Sequence, residues 1–66
     1  MYVEILLKEV RQKKKVTLSK LAEKSGISST HINDIENNYK IPSLIVAIKI
    51  AKALDVSLMD LYKIEN

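Results

Sequence analysis

Short polar side chains in the middle of the sequence have the types and the spacing to bind a polar ligand through hydrogen bonds. They are Ser29, Thr30, Asn33, Asp34 and Asn37, in the segment GISSTHINDIENN. A helix turns about 100° per residue, so these residues would share one arc, opposite Ile32 and Ile35. The arc has no Lys or Glu, which usually fill a solvent-facing helix surface. In a DNA groove, Ser, Thr and Asn can hydrogen-bond to base edges, and Asp can accept from the cytosine amino group.

The same segment offers little for catalysis or metal binding. His31 is the only histidine and cysteine is absent, so the usual zinc ligands cannot be assembled. No glycine-rich phosphate-binding loop is present. We therefore predict that the protein is not an enzyme and needs no metal or cofactor. His31 would lie beside the polar arc, where we predict partial burial, with a phosphate contact as the alternative.

Composition indicates one small domain over residues 1–66 with a formal net charge of +3. Basic residues gather near the end of the first predicted helix: Lys8, Arg11, Lys13, Lys14 and Lys15. They are either a solvated helix end that the helix dipole favours or an anion-binding surface. No apolar run is long enough to span a bilayer. The first ten residues include Glu4, Lys8 and Glu9, unlike a signal peptide, so we expect a cytoplasmic protein.

The apolar residues recur at helical spacing, which predicts five helices and no sheet. The predicted helices cover residues 3–13, 18–25, 29–37, 44–54 and 58–64. Predicted N-caps are Thr17, Ser28 and Ser43, with a capping box at Ser57 and Asp60. Gly26 and Asn38 suit left-handed positions after helices. The first helix would bury a stripe of Val3, Leu6, Leu7 and Val10. The fourth would bury Leu44, Ala47, Ile48, Ile50, Ala51 and Leu54, leaving Ile45, Val46 and Ala53 outside.

The second and third predicted helices meet through a tight turn at Gly26, and Ala22 leaves space where they cross. This arrangement is a helix-turn-helix pattern, in which the second helix of the pair enters the major groove. Neutral hydrogen-bonding groups on that helix discriminate between bases, whereas cations on its flanks bind phosphates of any sequence. The polar arc is therefore interpreted as a base-reading surface.

The stretch TLSKLAEKSGISSTHINDIENNYKIPSLIVAIKIAKALDVSLMDLY resembles the helix-turn-helix domain of the phage repressor and Cro family, which is Xre-like and lambda-repressor-like. The resemblance covers about residues 6–62. It implies an all-α, compact five-helix domain that binds DNA as a two-fold dimer and regulates transcription. By position it implies base reading by Ser29, Thr30 and Asp34, with Asn33 close by. It also implies a phosphate contact at Asn37 and another near Thr17, and we add Lys13 and Lys40 as phosphate-contacting cations.

The resemblance further implies an ion pair between Arg11 and Glu36 that holds the first helix to the third. Two positions depart from the family pattern. Leu18 stands where a phosphate-binding Gln is common, and Asn38 stands where many members have Gly. Ser29 and Thr30 are also shorter than the Gln often found at base-reading positions, so water-mediated contacts gain importance.

The last two predicted helices carry more apolar residues than a chain of this size can bury, which suggests a partner surface. We predict a homodimer interface at Leu58, Met59 and Tyr62; scattered exposure or another partner is the alternative. Because there is no room for a ligand-sensing domain, we expect control through protein concentration or a partner. The predicted function is a sequence-specific regulator on double-stranded DNA, such as a phage repressor or a restriction–modification controller. The alternative is a protein–protein module, an antitoxin or regulator-binding subunit that uses helices four and five.

Overall fold

The computed structural model describes residues 1–66 as four α-helices and a two-stranded sheet, whose strands come from the two ends of the chain. In chain order the elements are β1 (Tyr2–Ile5), α1 (Leu7–Lys13), α2 (Leu18–Ser25), α3 (Ser29–Glu36), α4 (Leu44–Leu54), a 3₁₀ turn (Leu58–Leu61) and β2 (Tyr62–Glu65). The predicted second, third and fourth helices are confirmed to within one residue at each end. None of the helices is both long and apolar enough to cross a membrane.

The prediction of five helices without a sheet is wrong at both ends of the chain. β1 and β2 pair in antiparallel register, with Val3 opposite Ile64 and Ile5 opposite Tyr62. Residues 2–5 are therefore extended, and the first helix covers residues 7–13 rather than 3–13. Tyr, Val and Ile favour strands, but the four-residue segment that contains them also fits a helical turn. Only pairing with a segment nearly sixty positions away decides between the two conformations.

The predicted fifth helix, residues 58–64, is a single 3₁₀ turn followed by β2. The Ser57 N–H donates to Asp60 Oδ2 at 3.0 Å, so the predicted capping box does start a helical turn. Tyr62 then adopts extended backbone, and the Leu6 N–H donates to the Leu61 carbonyl at 2.7 Å. This bond lies next to the first pair of the sheet, Ile5 and Tyr62.

The core lies where the four helices and the 3₁₀ turn meet. Its buried residues are Leu7, Leu21, Ile32, Ile35, Ile50, Ala51, Leu54 and Leu61. The predicted burial of Ile32 and Ile35 is confirmed, whereas Val3 is about half exposed in β1 and lies outside the core. α3 is thus fixed by its apolar side, and its opposite side faces outward.

The buried face of α4 agrees with the predicted one at Ala47, Ile50, Ala51 and Leu54, but it differs at four other positions. Leu44 and Ile48 are exposed, whereas Val46 and Ala53 pack against the core. α4 is apolar around most of its circumference, so periodicity could not fix its rotation. As predicted, Ile45 is exposed.

Candidate nucleic-acid interface

The position of α3 is set by a hydrogen-bonded turn that follows α2. Gly26 has a φ of 74°, and its N–H donates to the Ala22 carbonyl at 3.0 Å. Nothing lies within 4 Å of where a Cβ would stand on Gly26, so its left-handed backbone, not lack of space, favours glycine there. The Ser28 hydroxyl then accepts from the His31 N–H at 3.1 Å and caps α3. Thr17 and Ser43 cap α2 and α4 in the same way.

The predicted base-reading residues lie on the outward face of α3. Ser29, Thr30 and Asn33 are exposed, and the Ser29 and Thr30 side chains make no hydrogen bond within the chain. Two hydroxyl groups and an amide group are therefore available at this surface. His31 is partly buried beside it, as predicted from its position on the helix.

Asn33 and Asn37 form a pair that the sequence did not reveal. Asn37 Nδ2 donates to the Asn33 carbonyl at 2.9 Å and to Asn33 Oδ1 at 3.1 Å. A backbone carbonyl can only accept, so this contact fixes which end of the Asn37 amide faces α3. Asn33 Nδ2 remains free to donate, and Asn37 Oδ1 remains free to accept.

Asp34 is the acidic member of the arc, and Lys40 stands close to it. The distance between Lys40 Nζ and Asp34 Oδ2 is 3.9 Å, and the lysine side chain is mostly exposed. The Tyr39 and Lys40 N–H groups both donate to the Asp34 carbonyl, at 2.8 and 3.3 Å. Asn38, with a φ of 63°, makes the turn that allows this return. A negative charge on the reading face thus has a cation beside it.

The inner edge of α3 carries the Arg11–Glu36 ion pair. Arg11 Nε lies 2.6 Å from Glu36 Oε2, and Arg11 Nη2 lies 3.1 Å from Glu36 Oε1. Arg11 Nη1 also donates to the Val16 carbonyl at 3.0 Å. Only 13% of the arginine side chain and 4% of the glutamate side chain are exposed. Hydrogen bonding to the carboxylate raises the pKa of Arg11 above its ordinary value, against the opposing effect of burial.

The remaining candidate DNA contacts lie around this surface. Thr17 is exposed at the start of α2, and Lys13 is exposed at the end of α1. Leu18, which stands in place of the family's Gln, packs against the core. Its side chain therefore stabilises α2 rather than extending toward a phosphate.

The candidate dimer residues are only partly exposed to solvent. Met59 is 57% exposed, whereas Leu58 and Tyr62 are half-buried and Tyr62 packs against the core. A larger exposed apolar group surrounds the start of α4. Its members are Ile41, Leu44, Ile45 and Ile48. We call these four residues the α4 patch.

Comparison with known proteins assigns the fold to a family. A family described as helix-turn-helix matches residues 7–61, which include all four helices. The chain belongs to the helix-turn-helix family. The predicted resemblance is therefore confirmed.

Relatives and solved structures agree with this assignment. The transcriptional regulator SinR of Bacillus subtilis is 38% identical over 52 residues, which are 77% of this chain and 47% of SinR. A Methanococcus maripaludis protein predicted to be an HTH-type transcriptional regulator is 44% identical over 54 residues, 82% of this chain and 17% of that protein. The chain thus spans less than half the length of these curated relatives.

Among solved structures, the restriction-modification controller protein C.AhdI from Aeromonas hydrophila matches with a TM-score of 0.80 and 31% identity. The match covers 83% of each chain. The N-terminal DNA-binding domain of SinR matches with a TM-score of 0.76 and 38% identity, over 83% of this chain and 81% of that domain. The prediction of a small helical helix-turn-helix domain is thereby confirmed, apart from the helix count corrected above.

Proposed function

We propose that this chain is a DNA-binding transcriptional regulator that reads sequence with α3 in the major groove. The observation that supports it best is the outward face of the second helix of a helix-turn-helix pair. That face presents the free hydroxyl groups of Ser29 and Thr30 and the free amide nitrogen of Asn33, and α3 itself carries no cationic side chain. The relatives and solved structures described above, which are transcriptional regulators and DNA-binding domains by name, support the same function.

Phosphate contacts would come from the borders of this face. The Thr17 hydroxyl uses its oxygen to accept from the Lys20 N–H, which leaves its hydrogen free for a phosphate oxygen. Lys13 and Lys40 supply cations. Asn37 is the weakest donor of the set, because its amide nitrogen already donates twice to Asn33. Its contact with a phosphate would replace one of those bonds.

Asp34 has two possible partners at such an interface. It can accept a hydrogen bond from a cytosine amino group, or it can remain beside Lys40, whose ammonium group lies 3.9 Å away. In either arrangement its charge is compensated near the DNA phosphates. We propose that it reads a base, with Lys40 lowering the cost of bringing the carboxylate to DNA.

We further propose that the protein acts as a homodimer on a palindromic operator, using Leu58, Met59 and Tyr62. Met59 is the most exposed of the three and would be the centre of the contact. Two copies related by a two-fold axis would place their α3 helices about one DNA turn apart, roughly 34–36 Å.

The decisive experiment selects bound duplexes from a random DNA library and measures the affinity of the most enriched duplex across a salt series. We expect a palindrome with half-sites about one turn apart and specific binding at least about 10³-fold tighter than non-specific binding. No enriched sequence, together with weak and steeply salt-dependent binding, would overturn the proposed base reading.

The dimer is tested separately with Met59→Lys, because this exposed position tolerates a charge in a folded monomer. We expect the variant to sediment as a monomer and to lose affinity for the palindrome while it keeps the wild-type helical content. Lys63→Met, an exposed change in β2, provides a nearby control. If Met59→Lys dimerises as the wild type does, the dimer interface lies elsewhere on the protein.

A second function, a protein–protein module, is favoured by the α4 patch. Ile41 is 95% exposed and Leu44 is 65% exposed, and apolar groups at helical spacing often mark partner surfaces. The two functions separate in one comparison. Loss of function on Thr30→Ala favours DNA reading, whereas loss only on Leu44→Lys or Ile45→Lys, without DNA affinity, favours the protein module.

A further inference from the structure

A small cavity lies between the sheet and the loop that follows α3. Its volume is about 270 Å³, and it is lined by Val3, Ile5, Asn38, Lys40, Ile41, Pro42 and Tyr62. Val3 pairs with Ile64 and Ile5 pairs with Tyr62. Residues directly opposite in a sheet share one face, so these four make one apolar sheet face. Three of them, Val3, Ile5 and Tyr62, line one wall of the cavity.

The other wall combines apolar and polar groups from the loop after α3. Ile41 and Pro42 are apolar, whereas Asn38 supplies an amide and Lys40 supplies the only charged side chain in the lining. No carboxylate lines the cavity. The lining therefore matches a molecule with an apolar body and a single negative charge, which would bring the charge to the ammonium group and the body to the sheet.

We propose that this cavity binds a small amphipathic anion, a carboxylate with a short hydrocarbon chain. A volume of 270 Å³ corresponds to about nine water molecules of liquid volume. The cavity is therefore large enough for a ligand of the size of hexanoate. Lys40 binds the carboxylate group, and Val3 and Ile5 contact the hydrocarbon chain.

The cavity is joined to the outward face of α3 through Lys40. The lysine side chain lies 3.9 Å from the Asp34 carboxylate, and the loop backbone donates to the Asp34 carbonyl. A bound carboxylate competes with Asp34 for the same ammonium group. This consequence rests on the proposed function: once Lys40 turns to the ligand, Asp34 faces DNA without its cation, and the affinity for the operator falls.

The binding step is tested without DNA by titrating the full chain with hexanoate and following backbone amide resonances. We expect saturable shifts at Val3, Ile5, Ile41 and Tyr62. Acetate, which lacks the hydrocarbon chain, should cause none. The neutral 1-hexanol should bind about tenfold more weakly, a factor equal to roughly 1.4 kcal/mol.

Two pairs of variants localise the site. Lys40→Gln should weaken hexanoate binding about tenfold, whereas Lys49→Gln, which removes an exposed charge outside the cavity, should not change it. Val3→Glu places a like charge in the lining and should abolish binding. Tyr2→Glu places the same charge at the neighbouring exposed position of β1, whose side chain lies on the other face of the strand and outside the lining, and should bind hexanoate as wild type.

Three results would overturn the proposal. They are the absence of shifts at the cavity residues, equal affinities for hexanoate and 1-hexanol, and equal effects of Lys40→Gln and Lys49→Gln. If the resonances of Val3 and Ile41, which lie outside the proposed dimer contact, instead move with protein concentration and not with ligand, a second copy of the chain covers this surface, and the small-anion site is also excluded.

The coupling step uses the duplex obtained by selection. Hexanoate at saturation should weaken operator binding by wild type and by Tyr2→Glu, and should leave that of Val3→Glu unchanged. Ligand binding without any effect on the operator would overturn the coupling but keep the site. Failure to select an operator would count against the proposed function alone, because the amide titration involves no DNA.

Discussion

Two carboxylates of α3 each form an ion pair, Glu36 with Arg11 of α1 and Asp34 with Lys40 of the following loop, and the two pairs differ in distance and burial. The first has two short contacts, of 2.6 and 3.1 Å, and is nearly buried. The second is a single contact at 3.9 Å with an exposed lysine. Arg11 also donates to the Val16 carbonyl, so each of the three nitrogen atoms of its guanidinium group makes a hydrogen bond.

The difference separates the two sides of α3 by role. A largely buried charge that loses its partner is only partly compensated by water, so the inner pair fixes where α3 lies. An exposed pair at long distance contributes little to stability and exchanges partners easily. The outer pair is therefore suited to a surface that must release one contact to make another.

The largest expected effect comes from breaking the inner pair. Glu36→Ala should lower the free energy of unfolding by about 3–5 kcal/mol, because it leaves the Arg11 guanidinium partly buried without a carboxylate. Urea denaturation followed by circular dichroism measures the change. Glu23→Ala removes the exposed 3.6 Å contact with Lys20 and should cost less than about 1 kcal/mol.

The double variant Arg11→Met with Glu36→Leu refines this test. Removing both charges should recover part of the stability lost in Glu36→Ala, because no unpaired charge remains. If Glu36→Ala is as stable as Glu23→Ala, the inner pair does not hold α3 and the contrast between the two sides fails.

Next in size is the loss of one base contact on the outer face. Thr30→Ala should weaken operator binding by about 1–3 kcal/mol and leave the unfolding midpoint unchanged, because the side chain is exposed and makes no internal hydrogen bond. Fluorescence anisotropy with the selected duplex measures the affinity. Thr30→Ser keeps the hydroxyl and should retain most of it. A loss of stability in Thr30→Ala would show that the side chain stabilises the folded protein rather than contacting DNA.

The cap of α3 is expected to contribute less than the inner pair. Ser28→Ala removes the acceptor of the His31 N–H and should cost about 1 kcal/mol of unfolding free energy. Ser28→Asp keeps an acceptor at the same place and should be close to wild type in urea denaturation. Equal stability of Ser28→Ala and Ser28→Asp would show that α3 begins without help from this side chain.

The smallest effect on stability is expected at the outer pair. Lys40→Gln should change the free energy of unfolding by less than about 1 kcal/mol. A double-mutant cycle with Asp34→Asn measures the coupling between the two side chains, and we expect a similarly small value. Coupling as large as that of the inner pair would remove the distinction between a structural pair and an exchangeable one.

Local signals in the sequence accounted for the central part of the fold. Thr17, Ser28 and Ser43 each cap the helix that follows, and Gly26 has the left-handed backbone its position required. These features depend on residues within one helical turn of each other. For that reason the bounds of α2, α3 and α4 followed from the sequence almost unchanged.

The errors occurred where a distant segment or a choice of rotation decides the structure. Residues 2–5 are extended because residues 62–65 pair with them, and neither segment is long enough to show alternation by itself. In α4 the apolar residues surround the helix, so only packing shows that Val46 faces the core and Leu44 does not.

The candidate site divides in the same way. The outward arc of α3 followed from helical spacing. The Arg11–Glu36 partnership came from the family resemblance. The Asn33–Asn37 bonds and the 3.9 Å approach of Lys40 to Asp34 depend on side-chain conformation and on the return of the loop, which residue types alone do not specify.

The pairing of β1 with β2 has a consequence for the order of folding. The helical pairs bring together residues close in sequence, whereas the sheet closes a loop that contains every helix. The entropy lost in closing a loop grows with its length, and contacts between distant residues form slowly. We expect the helix-turn-helix to assemble first and the sheet to join last, so that substitutions in the strands mainly speed unfolding while those between α2 and α3 slow folding.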